Sequence, residues 1–295
     1  NAIWKAVKSL RTEGFDIQAV TNRGYRLVKD TDAPSASCIQ HYLPEDHPFN
    51  IVVRSLLDST NAECRRLAMR SAPEGTVVLA DEQSHGRGRG GKSFYSPAST
   101  GLYLSIILRP KIKTNQSQYL TTMAAVACAR AIEKVTARRA SIKWVNDVFC
   151  DGRKVAGILT ETAVSPDSDM LEFAVVGVGV NIRTPENGFP NSISNVAGAL
   201  YETDCGAIRN RLAAVFLNEF WSLYTELPEC TFRKEYCDRC FILGSHVVVK
   251  RGDRRLRAKA VDLTENFELV IELPDHTRAA LPFGEVSPST SNMTY

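Results

Sequence analysis

The chain has 295 residues, 36 Lys and Arg against 33 Asp and Glu, a formal charge of +3 and 44% hydrophobic residues. That length carries one large domain or two to three smaller ones, and the near balance of charge excludes a global field toward nucleic acid, so any basic function is local. No run of about 18 apolar residues is present to form a membrane span, and the opening "NAIWKAVKSLRTEG" lacks the apolar core of a signal peptide.

The chain opens without Met, in what reads as mid-element, which predicts residues upstream. Ile3, Val7 and Leu10 recur at helical spacing and stop at Gly14. Ile17–Val20 and Tyr25–Val28 flank "TNRG", which predicts a hairpin. A helix followed by a two-stranded wing is the tail of a winged helix-turn-helix, and Lys5, Lys8 and Arg23 are its candidate DNA contacts. "DTDAPSAS" (30–37) has the composition of a linker. Strands are expected over 51–57, 76–81, 101–108, 141–149, 154–161 and 173–181, with long helices over about 117–136 and 206–226. Strand pairs outnumber crossovers, so the class is α+β with a mixed, mostly antiparallel sheet. From about 241 the short apolar runs "HVVVK", "RLRAKAVDL", "FELVIEL" and "TRAALPF" predict a small barrel of four or five strands. The expected division is 1–30 for the winged remnant, 31–40 for the linker, 41–236 for a central domain and 237–295 for the barrel.

The loop "HGRGRGGKSF" (85–94) satisfies two phosphate-binding patterns at once. Gly86, Gly91, Lys92 and Ser93 fit the P-loop, while Gly86, Gly88 and Gly91 fit the dinucleotide fingerprint. Both require a helix directly after the glycines, whose N–H groups hold the phosphates. Here Pro97 and Gly101 interrupt any such helix, and "LYLSIILRP" then reads as a strand. Both matches are therefore rejected. What remains is a glycine loop bearing Arg87 and Arg89, suited to enclosing a small anion, because guanidinium groups bind carboxylates and phosphates bidentately.

In "SIKWVNDVFCDGRKVAGILTE" (141–161), Asp151-Gly152 is a two-residue hairpin signal. Regular pairing sets Phe149 against Lys154, Asp147 against Ala156, Asn146 against Gly157 and Lys143 against Thr160. Alternation then gathers Lys143, Asp147 and Lys154 on one face, with Trp144, Val148, Val155 and Leu159 on the other. "FAVVGVGVN" (173–181) carries two glycines inside an apolar strand, a sign of close approach by something else. Asp58-Ser59-Thr60-Asn61 reads first as a helix N-cap. The eight cysteines are scattered, which suits a reducing cytoplasm rather than a disulfide framework. Cys237-Asp-Arg-Cys240 has no second pair at zinc spacing and the five histidines are dispersed, so no metal-ligand cluster is expected.

Together "DSTN" (58–61), "DEQSHGRGRGGKSFYSP" (81–97), "LYLSIILRP" (102–110), "IKWVNDVF" (142–149), "RKVAGILTE" (153–161) and "VGVGVN" (176–181) resemble the biotin–protein ligases, in the bifunctional ligase and biotin-operon repressor class. The resemblance implies a class II aminoacyl-tRNA synthetase-like central domain, an SH3-like carboxyl-terminal barrel and a truncated winged helix-turn-helix. It implies that biotin is adenylated by ATP with Mg²⁺ and then passed to a lysine of the biotin carboxyl carrier domain of acetyl-CoA carboxylase. It also implies a homodimer that represses transcription at operator DNA. Under it, Ser59, Thr60, Asn61, Gln83, Gly86, Arg87, Gly88, Arg89, Lys154 and Gly157 hold biotin. Arg87, Arg89, Phe94, Lys143, Asn146 and Asn181 hold ATP and the adenylate, with Asn146, Asp147 and Asn181 near Mg²⁺. Arg89, Lys154, Lys143 and Asp147 carry the chemistry. Phe94 stands where many relatives have Trp, Val145 replaces a usual Pro, and Gly90 lacks a basic side chain seen in some members. A lipoate ligase of the same architecture and a non-catalytic DNA-binding sensor are the alternatives.

Overall fold

A computed structural model describes residues 2–12, 16–21, 23–29, 32–203, 205–227, 229–251, 254–282 and 284–288. Its strands form a two-stranded, a seven-stranded and a five-stranded sheet. A turn is also expected from the sequence at "RGD" (251–253), between the runs "HVVVK" and "RLRAKAVDL", and it lies partly outside the described residues.

At the amino end, α1 (Ala2–Thr12) precedes the antiparallel pair β1 (Asp16–Val20) and β2 (Gly24–Lys29). Of the expected apolar stripe only Val7 is buried, and Ile3 is 71% exposed, so the helical spacing does not mark a core face there. Lys5, Lys8 and Arg23 are exposed.

The stretch expected to be a linker is anchored instead. Asp32 accepts from the backbone N–H of Arg209 at 2.9 Å, and Arg183 and Arg209 both pair with its Oδ2. Ser35 then caps α2 (Ala36–Tyr42), whose Ile39 is fully buried. The polar composition of this stretch reflects capping and ion pairing, which a composition argument cannot separate from solvation.

The central sheet has the order β3-β4-β5-β9-β8-β7-β6, from β3 (Asn50–Leu57), β4 (Thr76–Gln83), β5 (Gly101–Leu108), β6 (Ser141–Lys143), β7 (Asp147–Cys150), β8 (Arg153–Val164) and β9 (Leu171–Asn181). Only β3 and β4 run parallel, joined through α3 (Thr60–Ala68). Helices α4 (Gln118–Thr136) and α5 (Arg209–Thr225) cover one face, over Leu79, Leu104, Ile106 and Val176. On α4, Ala124, Ala125, Ala127 and Ala129 are fully buried, and their small side chains let helix and sheet approach closely. The other face is covered only in part: Cys64 and Ala68 of α3 pack on Val78, Ile107 and Val175. The site lies on the remainder of that face.

Seven-residue α6 (Arg233–Arg239) spans the expected boundary at 236/237, and its Tyr236 is fully buried. The boundary therefore cuts a helix that belongs with the central sheet, against which Phe241 N–H donates to Ile142 O at 3.1 Å. Beyond it, β10 (His246–Arg251), β11 (Arg254–Leu263), β12 (Leu269–Glu272), β13 (Arg278–Leu281) and β14 (Glu285–Pro288) form an antiparallel sheet ordered β13-β12-β11-β10-β14. Among the described residues no helix is long and apolar enough to cross a membrane.

Candidate active site

Strand register decides which side chains meet, because successive residues point to opposite faces. The stretch 141–149 is two strands, not one: Trp144-Val145-Asn146 turns between β6 and β7, so Lys143 faces Asp147 rather than Thr160. Asp151 and Gly152 take positive φ and close the β7–β8 hairpin, with Phe149 opposite Lys154. A bulge at Val155 then sets Val148 against Ala156 and Asp147, not Asn146, against Gly157. One extra residue exchanges the two faces of β8 beyond it. Lys154 and Gly157 consequently share a face, and Leu159 joins them, where regular pairing separates them. Asn146 closes the bulge: its backbone carbonyl accepts from Ile158 N–H and its Nδ2 donates to Ile158 O, both at 2.9 Å.

Across the sheet the row continues from Gly157 to Gly179 and Tyr103, and the next row sets Leu159 by Gly177 and Ser105. Gly157, Gly177 and Gly179 thus form a hollow in a face otherwise built of bulky residues. A Cβ on Gly177 would stand 1.9 Å from Asn61 Oδ1, and one on Gly179 would stand 2.5 Å from the Phe94 ring. The hollow is the floor of a cavity of about 290 Å³, part of it open to solvent, lined by Ser59, Thr60, Asn61, Gln83, Arg87 and Phe94 together with Leu159, Val178 and the three glycines.

A chain of polar contacts runs round this cavity and begins and ends in the same loop. Ser96 Oγ donates to Phe94 O at 3.0 Å and accepts from Gln83 Nε2 at 2.9 Å. Gln83 Oε1 accepts from Thr60 N–H at 2.8 Å and from its hydroxyl at 3.1 Å. Ser105 Oγ lies 2.8 Å from Thr60 Oγ1 and donates to Asn61 Oδ1 at 2.6 Å. Asn61 Nδ2 donates to Glu161 at 2.9 Å, and Glu161 pairs with Arg87 at 3.0 Å, back in the loop. The loop itself is a tight hairpin, with Phe94 N–H donating to Gly86 O and Gly88 N–H to Lys92 O. Gly86 is buried, and a Cβ there would stand 2.3 Å from Phe94 O. An apolar floor inside a polar belt suits a small, largely apolar ligand with a polar rim.

Beside this cavity stand the charged groups. Lys154 Nζ lies 2.6 Å from Asp147 Oδ1. That is ion-pair distance, though its direction misses hydrogen-bond alignment and leaves the buried Oδ1 without a hydrogen bond among the described residues. A Cβ on Gly157 would touch both the Phe94 ring at 3.4 Å and Lys154 Nζ at 3.5 Å, so cavity and ammonium meet at that glycine. Burial drives the Tyr236 hydroxyl well above an ordinary phenol, with Cys240 and Cys237 adding to it, Arg89 opposing it and Asp147 adding again. Tyr236 is thus a neutral donor, to Val145 O at 3.0 Å, and Arg89 and Asp147 both lie within its electrostatic reach. Asn181, on β9 beyond Gly179, donates to Gly198 O at 3.0 Å.

Of the residues singled out from sequence, Ser59, Thr60, Asn61, Gln83, Arg87, Phe94 and Gly157 line the cavity, while Lys143, Asn146, Asp147, Lys154 and Asn181 stand around it. Arg87, among the lining residues, pairs with Glu161 at 3.0 Å. Ser105 and Glu161 escaped sequence reading. Their signal was a lone polar residue inside the apolar run "LYLSIIL" and a carboxylate two residues past Leu159 on the glycine face. Among the described residues no group of His, Cys, Asp and Glu is placed to hold a metal ion on protein ligands alone.

All eight cysteines are free. Burial pushes the Cys240 thiol up to about 11, so at pH 8 its thiolate is about a thousandth of the total. Alkylation of Cys240 in the folded protein is expected to be slow at pH 8 and to rise about tenfold per pH unit up to about pH 11, read by mass spectrometry of iodoacetamide adducts. Rapid modification at pH 7 would reopen a redox role for the Cys237–Cys240 pair.

The model of the biotin/lipoate A/B protein ligase family matches residues 53–181. The bifunctional ligase/repressor BirA of Bacillus subtilis (strain 168) is 37% identical over 200 residues, which are 68% of this chain and 61% of that protein. The biotin–[acetyl-CoA-carboxylase] ligase of Paracoccus denitrificans is 39% identical over 240 residues, 78% of this chain and 96% of that one. The biotin protein ligase of Aquifex aeolicus in complex with biotin and ATP superposes with a TM-score of 0.66 at 28% identity, covering 81% of this chain and 97% of that chain. The match thus spans about three fifths of the length of the Bacillus relative.

Proposed function

This chain belongs to the biotin/lipoate A/B protein ligase family, and from that premise we propose that it activates biotin with ATP and transfers it to a lysine of the biotin carboxyl carrier domain of acetyl-CoA carboxylase. The observation that carries the reading is the meeting, at Gly157, of a belted apolar cavity with the Lys154 ammonium and the Asp147 row. A bicyclic ureido acid has an apolar body, polar edges and a carboxylate tail. Its rings would lie beside Leu159 within reach of Ser59, Thr60, Asn61 and Gln83, with its tail directed toward Gly157 and Lys154.

In the first half-reaction the carboxylate attacks the α-phosphorus of ATP and pyrophosphate leaves, giving biotinyl-5′-AMP. Two anions approach, so fixed cations must be in place beforehand. Lys154, Arg89 and Lys143 serve here. In the second, a lysine amine attacks the acyl carbon and AMP leaves, with Asp147 orienting the amine and Phe94 covering the adenylate. Loop 84–97 shields the labile anhydride from water. The Asp147 carboxylate, shared with Lys154, and the amide oxygens of Asn146 and Asn181, whose N–H groups are spent on backbone carbonyls, are hard donors that would suit Mg²⁺ completed by phosphate and water. When bound, that ion would neutralise phosphate charge.

The seven-stranded sheet is then the class II synthetase-like domain, the five-stranded sheet an SH3-like barrel, and α1 to β2 a DNA-binding wing presenting Lys5, Lys8 and Arg23. Resemblance to the repressor class supports operator binding as a homodimer, and eight free cysteines support a reducing cytoplasm. The test is incubation with biotin, ATP and Mg²⁺ followed by mass spectrometry of the protein-bound adenylate. Biotinyl-AMP is expected; lipoyl-AMP formed in preference from mixed acids would move the protein to the lipoate branch, and no adenylate at all would leave a sensor. Arg89→Ala is expected to speed dissociation of biotinyl-AMP about tenfold or more, as one charge-assisted contact is lost. Unchanged release would remove Arg89 from its assigned place.

A further inference from the structure

The β6–β7 turn sets Lys143 against Asp147, yet it is an unusual turn. Turns ordinarily lie at the surface, whereas Trp144 and Val145 are 4% and 3% exposed. The hairpin is held from outside by three contacts. Tyr236 and Phe241, on and just beyond α6, bond Val145 O and Ile142 O at 3.0 and 3.1 Å. The third comes from the other sheet: Trp144 Nε1 donates to Phe267 O at 2.8 Å, in a buried contact between residues 123 apart in sequence.

Phe267 lies between β11 and β12 and is fully buried. Its φ is +60°, in the left-handed region that bulky residues avoid. Glycine or asparagine ordinarily relieves such a position. Phenylalanine persists here because its surroundings hold it on every side. Its ring stacks on Phe232 at 5.4 Å, meets Tyr119 and Tyr236 edge-on at 5.6 and 5.4 Å, and lies 5.6 Å under the Arg233 guanidinium. Arg233 also donates to Leu263 O and Thr264 O, both at 2.7 Å, so one side chain fixes both ring and turn. A strained aromatic pinned in this way presents its carbonyl to a single indole.

We propose that Phe267 is a positioning residue: through its carbonyl and the Trp144 indole, the carboxyl-terminal sheet fixes the turn that sets Lys143 against Asp147. The inference rests on the ligase reading above. Misplacing reacting groups by about 1 Å costs up to about a hundredfold in rate without affecting groups that bind elsewhere. The biotin cavity is lined by other elements, so loss of this contact acts on turnover and not on biotin affinity.

The test is Trp144→Phe in the full chain, which keeps an aromatic ring but deletes the donor together with part of the buried indole's volume, assayed by biotin-dependent exchange of pyrophosphate into ATP. We expect kcat to fall about tenfold with KM for biotin within about twofold of the parent, and amide hydrogen exchange over residues 141–150 to quicken. Phe267→Leu, which keeps the carbonyl but loosens the ring that aims it, is expected to shift both readouts the same way, and it decides the matter if Trp144→Phe does not fold. Parental kcat in the folded variant would overturn the proposal, as would a fall in kcat matched by an equal rise in KM for biotin, the mark of a general loosening. If the parent itself gave no biotin-dependent exchange, the ligase reading would fail, while hydrogen exchange over 141–150 would still show whether Phe267 holds the turn.

Discussion

Replacing Lys154 with methionine is expected to lower biotin-dependent pyrophosphate exchange by about 10²–10³-fold, the usual loss when one preorganised charge facing a developing anion is removed. The Lys154 side chain is 29% exposed and its ammonium lies 2.6 Å from Asp147 Oδ1, where the local dielectric is well below that of bulk water. Its removal also leaves the Asp147 carboxylate without its ion-pair partner. For a pair only partly buried, that costs about 1–2 kcal/mol of stability, less than the loss on breaking a fully buried pair. The two effects separate experimentally: a modest fall in the unfolding midpoint beside a much larger fall in exchange. Lys92→Ala serves as the comparison, because Lys92 is exposed on the loop and no helix follows it. Should Lys92→Ala abolish exchange while Lys154→Met spares it, the P-loop reading would return and the site described above would be wrong.

Gly177→Ala is expected to weaken biotin binding by about 30- to 1,000-fold, or about 2–4 kcal/mol, in isothermal titration. The added methyl would lie 1.9 Å from Asn61 Oδ1 and 2.8 Å from its Cγ, so Asn61 must move. It cannot move without giving up its bond from Ser105 at 2.6 Å and its bonds to Leu159 O and Glu161 at 3.2 and 2.9 Å. Each lost bond costs about 1 kcal/mol, and more where a buried partner is left unsatisfied. The belt around the cavity opens at its most buried point. In Gly179→Ala the nearest atoms to the added methyl all belong to the Phe94 ring, the closest at 2.5 Å, on a loop that can shift, and its effect is expected to be smaller. Equal losses at the two positions would mean that the belt through Asn61 has no special part in binding.

Much of this was legible in the chain. Apolar alternation and the Asp151-Gly152 turn marked the strands, and the absence of a helix after Ser93 excluded two nucleotide-binding folds. The interior glycines of β9 announced a close approach. Short elements were harder: α2 and α6 have seven residues each, too few for a helical period to stand out, and both owe their helices to buried anchors, Ile39 and Tyr236. The bulge at Val155 was invisible because nothing local distinguishes regular from bulged pairing. Yet that single residue decides which of Gly157 and Ala156 faces the site.

By itself, the sequence determined the inventory: strands, a glycine–arginine loop, a lysine-bearing hairpin and the family to which they belong. Those features are local, written in alternation, turn chemistry and residue type. Tertiary structure alone decided the partnerships, namely Asn61 over Gly177, Arg87 on Glu161, Asp32 beneath Arg209 and Phe267 against Trp144. Each of these joins residues at least 74 positions apart. They follow from register and packing, which depend on the whole chain and leave no mark on any short stretch of it.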